Sequence, residues 1–147
     1  MDFERADSLN RAIRQIGMKH RARAGAALAK LGLHPGQEVL LLELDARGAR
    51  TQVQLAAGLG CEPPSVTLMA QKMEAAGLIV RRPSAHDARA TIVELTDQGH
   101  ALMPRLKDVW RRLAETTVAG LETTPLDRLL EDLDDLARSL SSSARRR

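Results

Sequence analysis

Apolar positions recur at helical spacing along most of this chain and switch to an alternating pattern only past its middle. From about Asp7 to Leu31, the residues Leu9, Ile13, Ile16, His20, Ala24, Ala27, Leu28 and Leu31 fall near one stripe. Within that helix RARAGAALAKLG is Ala-rich, and Gly32 is the predicted stop. Pro35 is predicted to open a second helix, PGQEVLLLELDARG, in which Val39, Leu40, Leu41, Leu42 and Leu44 are apolar on nearly every side. Such a helix is expected to be buried on most faces.

After an ARGAR turn, the stretch Thr51 to Gly77 reads as two short helices around a tight Gly turn. Thr51 and Gln54 form a T-x-x-Q capping box for the first, with Leu55, Ala56 and Leu59 on its inner face. Gly58 and Gly60 end it in a turn that a Cβ would hinder. Pro63 and Pro64 suit the start of the second helix, where backbone N–H groups have no intrahelical partner to lose. Val66, Met69, Ala70 and Met73 should face inward there, and Gly77 closes the helix. Two helices about a Gly-containing turn make a helix-turn-helix, whose second helix is shaped for a DNA major groove.

The period then becomes that of a strand. Leu78 to Arg82 is a short strand stopped by Pro83, Ala90 to Leu95 is a second, and SAHDAR is a polar loop between them. A helix-turn-helix followed by a β-hairpin is a winged helix, whose tip can reach a minor groove or the backbone. Thr96 caps a further helix with Asp97 at its N-terminus. Its stripe is Leu102, Leu106, Val109, Leu113 and Thr117, with Met103, Trp110 and Leu121 beside it. Pro125 is predicted to begin a last helix, in which Leu126, Leu129, Leu130, Leu133, Leu136, Ala137 and Leu140 repeat at near-heptad spacing. The tail SSSARRR is expected to be disordered, with Arg145, Arg146 and Arg147 available to phosphates.

The fold class is therefore mainly α with a small β-hairpin wing: a winged helix-turn-helix (35–100) between an N-terminal dimerisation helix (1–34) and C-terminal dimerisation helices with a basic tail (101–147). The terminal helices carry more apolar surface than so small a core can cover, and a twofold dimer is the economical explanation. A dimer sets two recognition helices about 34 Å apart and predicts a palindromic target.

Composition alters this picture little. At 147 residues, 44% hydrophobic and 28% charged, the chain has the balance of one globular domain. No apolar run approaches the ~20 residues of a membrane-spanning helix, and MDFERAD does not resemble a signal peptide, so a cytoplasmic protein without membrane partners is expected. The net charge is only +3, and residues 35–100 hold six basic against eight acidic groups. DNA affinity must then come from a few placed cations, doubled in a dimer.

The order of a long helix, LGLHPGQEVLLLEL, LAAGLGCEPPSVTLMAQKMEAAGLIVRR, a D-x-R wing (Asp87, Arg89) and LTDQGHAL resembles the MarR (multiple antibiotic resistance regulator) transcription factors, from about Leu9 to Leu140. The resemblance implies a dimer built from the first and last helices, binding palindromic double-stranded DNA at promoters, usually as a repressor, and often released by a small phenolic or other anionic effector. It places recognition-helix contacts on Pro64, Ser65, Thr67, Leu68, Gln71 and Lys72. The residue chemistry agrees: Ser65 and Thr67 can bond phosphates or base edges, Gln71 can grip adenine, and Lys72 suits a phosphate. Arg89 matches a minor-groove wing-tip arginine, and Asp87 the carboxylate that orients the wing. Ala88 and Ala90 stand where the family often adds a second basic residue, so Arg81 or Arg82 is expected to help. The implied effector cleft draws on Arg14, Met18, His20, Met103 and Trp110, although a chain whose only aromatics are Phe3 and Trp110 offers few stacking surfaces.

Other chemistries find less support. Cys61 follows the turn glycine at an apolar position and is expected to be a packed thiol. His20, His34, His86 and His100 fit no metal-ligand spacing on one helix, and no metal or other cofactor is expected. No phosphate-cradling Gly loop, G-x-S-x-G or H-E-x-x-H is present, so an enzyme is not expected. The competing reading is a winged-helix protein-interaction module that never reads sequence, favoured by the thin positive charge of residues 62–91.

Overall fold

The computed structural model describes residues 1–143, without the side chains of Ser142 and Ser143. It contains α1 (Phe3–Ala29), α2 (Gln37–Arg47), β1 (Arg50–Thr51), α3 (Gln52–Leu59), α4 (Pro63–Ala75), β2 (Ile79–Pro83), β3 (Thr91–Leu95), α5 (Asp97–Val118) and α6 (Leu126–Ser143). The chain divides into two compact units, Met1–Ala114 and Glu115–Arg147.

α1 starts four residues before the expected Asp7, because Asp2 caps it: its carboxylate accepts from the Arg5 N–H at 2.8 Å. It ends as expected near Gly32, where the Leu33 N–H reaches the Leu28 carbonyl and the Gly32 N–H the Ala29 carbonyl. Only the last turns of the stripe enter the core. Ala24 and Leu28 are buried, while Leu9, Ile13 and Ile16 are exposed.

α2 begins at Gln37, two residues after Pro35. Gly36 at φ 99° cannot continue a right-handed helix, and the first-turn side chains fold back instead. The Glu38 carboxylate accepts from the Gly36 N–H at 2.6 Å and the Gln37 amide oxygen from the His34 N–H at 3.0 Å. These bonds let both polar residues be buried. Leu40, Leu41 and Leu44 are buried, whereas Val39 is exposed.

The sheet has three antiparallel strands in the order β1-β3-β2. β1, only Arg50–Thr51, lies where a turn was expected and pairs with Ile92 and Val93. β2 runs through Pro83 rather than stopping before it. Pro83 is its last residue on an edge strand, where a missing N–H is tolerated. Val93 on the central strand is fully buried.

One core gathers Leu28 and Leu33, the α2 leucines, Leu55 and Ala56 of α3, Val66, Ala70 and Met73 of α4, Ile79, Val93 and Leu95 of the sheet, and Met103 and Leu106 of α5. Thr96 fastens the sheet to α5: its hydroxyl donates to the Gly77 carbonyl at 2.6 Å and accepts from the Gly99 N–H at 3.0 Å. α5 stops at Val118, so Leu121 lies beyond it and is exposed, as is Thr117.

α6 is a continuous amphipathic helix through Ser143, so Ser141, Ser142 and Ser143 are helical and not part of a disordered tail. Arg145, Arg146 and Arg147 lie outside the described residues. Its Leu126, Leu130, Leu133, Leu136 and Leu140 are all about half exposed or more.

Candidate nucleic-acid interface

The reading surface begins with how α3 and α4 are made. The Thr51 hydroxyl accepts from the Gln54 N–H at 3.1 Å and the Gln54 amide oxygen from the Thr51 N–H at 3.0 Å, completing the predicted capping box. Gly60 at φ 62° takes the left-handed conformation that turns the chain into α4. Pro63 and Pro64 supply the first two helical positions, and the Ser65 and Val66 N–H groups both turn back to the Glu62 carbonyl. Val66, Ala70 and Met73 anchor α4 completely in the core, with Met69 partly covered beside them.

The opposite face of α4 presents Pro64, Ser65, Leu68, Gln71 and Lys72 to solvent. Leu68 is 55% exposed, which an apolar side chain without a partner does not favour. Thr67 behaves differently from its neighbours. It is half-buried, its hydroxyl donating to the Pro63 carbonyl at 3.1 Å and accepting from the Gln52 amide nitrogen at 2.9 Å. Ser65, Leu68 and Lys72 also border a depression of about 240 Å³ with His34, Pro35 and Gln37.

The wing tip is built by Asp87. Its carboxylate accepts from the Arg89 N–H at 2.9 Å and its carbonyl from the Ala90 N–H at 3.0 Å, while the Ser84 N–H reaches the Ala90 carbonyl at 2.9 Å. Arg89 is thereby held out at the tip, exposed. Among the described residues neither Arg89 nor Lys72 has a carboxylate within ion-pair distance. Asp87 and Arg89 face Thr51, Gln52, Val53, Pro63 and Thr67 across a groove of about 510 Å³. Gln52 and Val53, on the first turn of α3, were not anticipated as part of this surface; their only signal was the capping box just before them.

Arg81 and Arg82 do not join Arg89. Arg81 binds Glu74 at 2.6 Å, tying β2 to α4, and Arg82 binds Glu94 at 3.2 and 3.3 Å across β2 and β3. Both charges are neutralised within the domain, so the positive potential of the surface rests on Lys72 and Arg89. The Nε of Arg50 in β1 is buried without a hydrogen-bond partner, alone in this among the described residues.

The hydrogen bond from Arg82 holds the Glu94 carboxyl below its ordinary value of 4.5, against some desolvation. A lowered folded pKa means the pair contributes fully above that ordinary value and is lost as pH falls through the lowered one. Thermal melts of Glu94→Gln and wild type are therefore expected to differ slightly at neutral pH and to converge in acid. A difference that persists unchanged into acid would contradict the pairing.

A cleft of about 600 Å³ brings together three of the five residues expected to bind an effector: Met18, His20 and Trp110. Arg21, Pro35 and the buried Glu38 complete its polar and apolar wall, and the His20 and Trp110 rings meet edge to face at 6.5 Å between centroids. Arg14 does not border it, and Met103 is buried in the core beside the fully buried Leu106, with Trp110 partly buried against them. Met103 and Trp110 lie on one face of α5, two turns apart, so position along the helix separates the core residue from the cleft residue.

Cys61 is exposed, contrary to the expectation of a packed thiol. The backbone turn is the cause. The Cys61 N–H closes back onto the Ala56 carbonyl at 3.0 Å, which fixes the residue outside the core, and the thiol meets only the Leu59 carbonyl at 3.5 Å. Among the described residues no cluster of three or more His, Cys, Asp or Glu is placed to hold a metal ion. None of the described helices is long and apolar enough to cross a membrane.

An anchored second helix, a wing beside it and two unpaired cations define a winged helix-turn-helix of the kind that binds nucleic acid. Residues 33–91 match the model of the MarR family. The transcriptional repressor CouR bound to a 23-mer DNA duplex is 29% identical, with 97% of this chain and 96% of that one covered and a TM-score of 0.75. A cysteine-to-serine variant of Escherichia coli MarR complexed with operator DNA is 22% identical, covering 95% and 99%, with a TM-score of 0.78. Bordetella bronchiseptica BpsR, whose DNA binding is regulated by 6-hydroxynicotinic acid, is 20% identical over 88% and 98%, with a TM-score of 0.79. The last two likenesses concern the fold alone.

Proposed function

We propose that this chain is a sequence-specific, double-stranded DNA-binding transcriptional regulator that occupies a palindromic promoter site as a homodimer and acts as a repressor. The observation that carries the reading is the single surface on which α4 projects Pro64, Ser65, Leu68, Gln71 and Lys72 while the wing holds Arg89 beside it. Gln71 reads adenine, Leu68 meets a thymine methyl, and Lys72 and Arg89 take the backbone and the minor groove. The DNA-bound relatives support the same assignment.

The chain works as three segments: an N-terminal dimerisation helix (1–34), the winged domain (35–100) and C-terminal dimerisation helices (101–147). The exposed leucines of α6 and the exposed Leu9, Ile13 and Ile16 of α1 are surfaces for a second copy. A small effector enters the cleft of Met18, His20 and Trp110, where Arg21 favours an anionic group. The protein is a cytoplasmic regulator and not an enzyme. A pure protein-interaction module would have no use for an exposed Gln71 beside two unpaired cations.

The test compares two variants in salt-titrated DNA binding. Arg89→Ala should weaken binding to every duplex and lower the salt slope by about one. Gln71→Ala should cost about 1–3 kcal/mol on the preferred site and relax its sequence preference. Unchanged affinity in Arg89→Ala would remove the wing from the interface.

A further inference from the structure

Thr67 is the one expected contact on α4, among the described residues, whose side-chain polar atom has a hydrogen-bond partner. Its hydroxyl proton goes to the Pro63 carbonyl one turn back, and a lone pair of the same oxygen accepts from the Gln52 amide at 2.9 Å. Gln52 is the first residue of α3 and Pro63 the first of α4, so this short relay links the starting turns of both helices. The apolar contacts between those helices lie deeper, at Leu55, Ala56, Val66 and Ala70, and leave the outer ends to be set by polar groups. The two prolines carry no N–H, and the Ser65 and Val66 N–H groups are taken by the Glu62 carbonyl, so these backbone donors do not take the relay's place. A hydrogen-bonded pair has a preferred direction that apolar packing lacks.

We infer that Gln52 is a positioning residue for sequence recognition: through the Thr67 hydroxyl it fixes the angle at which α4 presents Leu68 and Gln71, and Thr67 serves this link rather than a direct DNA contact. The inference rests on the DNA-reading assignment above.

The experiment is a double-mutant cycle on the full chain, using the duplex that wild type enriches from a random pool and the unselected pool as the non-specific reference. Gln52→Met and Thr67→Val remove the two ends of the link with little change of shape, and Thr67→Ser keeps the hydroxyl. Gln52→Met and Thr67→Val should each lower the ratio of selected to non-specific affinity by about three- to tenfold, the range of one hydrogen bond. The double variant should lose no more than either alone, and Thr67→Ser should retain the wild-type ratio. Non-specific affinity should be unchanged throughout, because no cation is touched. Additive losses, or a loss confined to Thr67→Val, would make Thr67 a direct contact and overturn the relay while leaving the DNA-reading assignment intact. If wild type enriches no sequence, both fail together.

Discussion

Leu133→Asp is expected to convert the protein to a monomer at micromolar concentration and to lower its affinity for a palindromic duplex by about a thousandfold or more. Leu126, Leu130, Leu133, Leu136 and Leu140 form one stripe along α6, and all are between 47% and 71% exposed. The other faces are acidic and internally paired, with Arg128 binding Asp132 at 2.9 Å and Arg138 binding Asp135. A helix with one oily and one charged face gains most by covering the oily one, and each leucine buried there contributes about 1.5–3 kcal/mol. A carboxylate at the centre of that stripe must be desolvated without a partner or must force the surfaces apart. The monomer then holds one half-site, with about half the binding free energy of a specific complex in the 10⁻⁸–10⁻¹¹ M range. Sedimentation and DNA titration read both effects, and Asp134→Ala on an exposed face is the neutral control. A Leu133→Asp protein that stays dimeric would move the interface away from α6.

Gly99→Ala is the second large effect, and it falls on folding rather than on binding. An added Cβ would sit within the envelope of the Leu78 carbonyl oxygen and 3.3 Å from a Leu95 methyl. Backbone cannot yield as a flexible side chain does, and that carbonyl also accepts the Thr96 N–H at 3.1 Å. Overpacking of this kind costs about 3 kcal/mol, which for a chain of this size lowers Tm by about 10 °C. Gly120→Ala, with nothing within 4 Å of the new carbon, should leave Tm unchanged. A melt in which Gly99→Ala matched wild type would mean that the junction of β2 and α5 relaxes freely.

The Gly99 position also shows what a sequence can reveal. LT-x-x-G was visible as a pattern, and Thr96 as a cap, but the reason for the glycine is a backbone contact with a residue 21 positions earlier. Local chemistry was readable in the helix-turn-helix: the Thr51 capping box, the glycine turn at Gly60, the proline start of α4 and its inward Val66, Ala70 and Met73 all stand as the spacing implied. Features that depend on a distant partner were not. β1 is two residues long and exists only because Val93 and Ile92 lie opposite. Arg81 and Arg82 read as spare cations until Glu74 and Glu94 were placed beside them. Cys61 read as core because apolar type was taken for burial, whereas the turn after Gly60 directs it to solvent. For the interface, residue identity pointed to Gln71, Lys72 and Arg89, but only the fold shows that Thr67 bonds inward to Gln52.

The same distinction governs the functional reading. A net charge of +3 gives no general reason to bind DNA, so affinity must come from position. Among the described residues Lys72 and Arg89 are the unpaired cations on the reading surface, and the proposed twofold dimer would double each of them.

The central claim is tested most directly by selecting duplexes from a random pool with the purified protein. An inverted repeat with half-site centres about 10 bp apart is the predicted outcome, since two symmetry-related α4 helices enter successive major grooves. No enrichment at low salt would contradict it, and would make the winged surface a site for another protein.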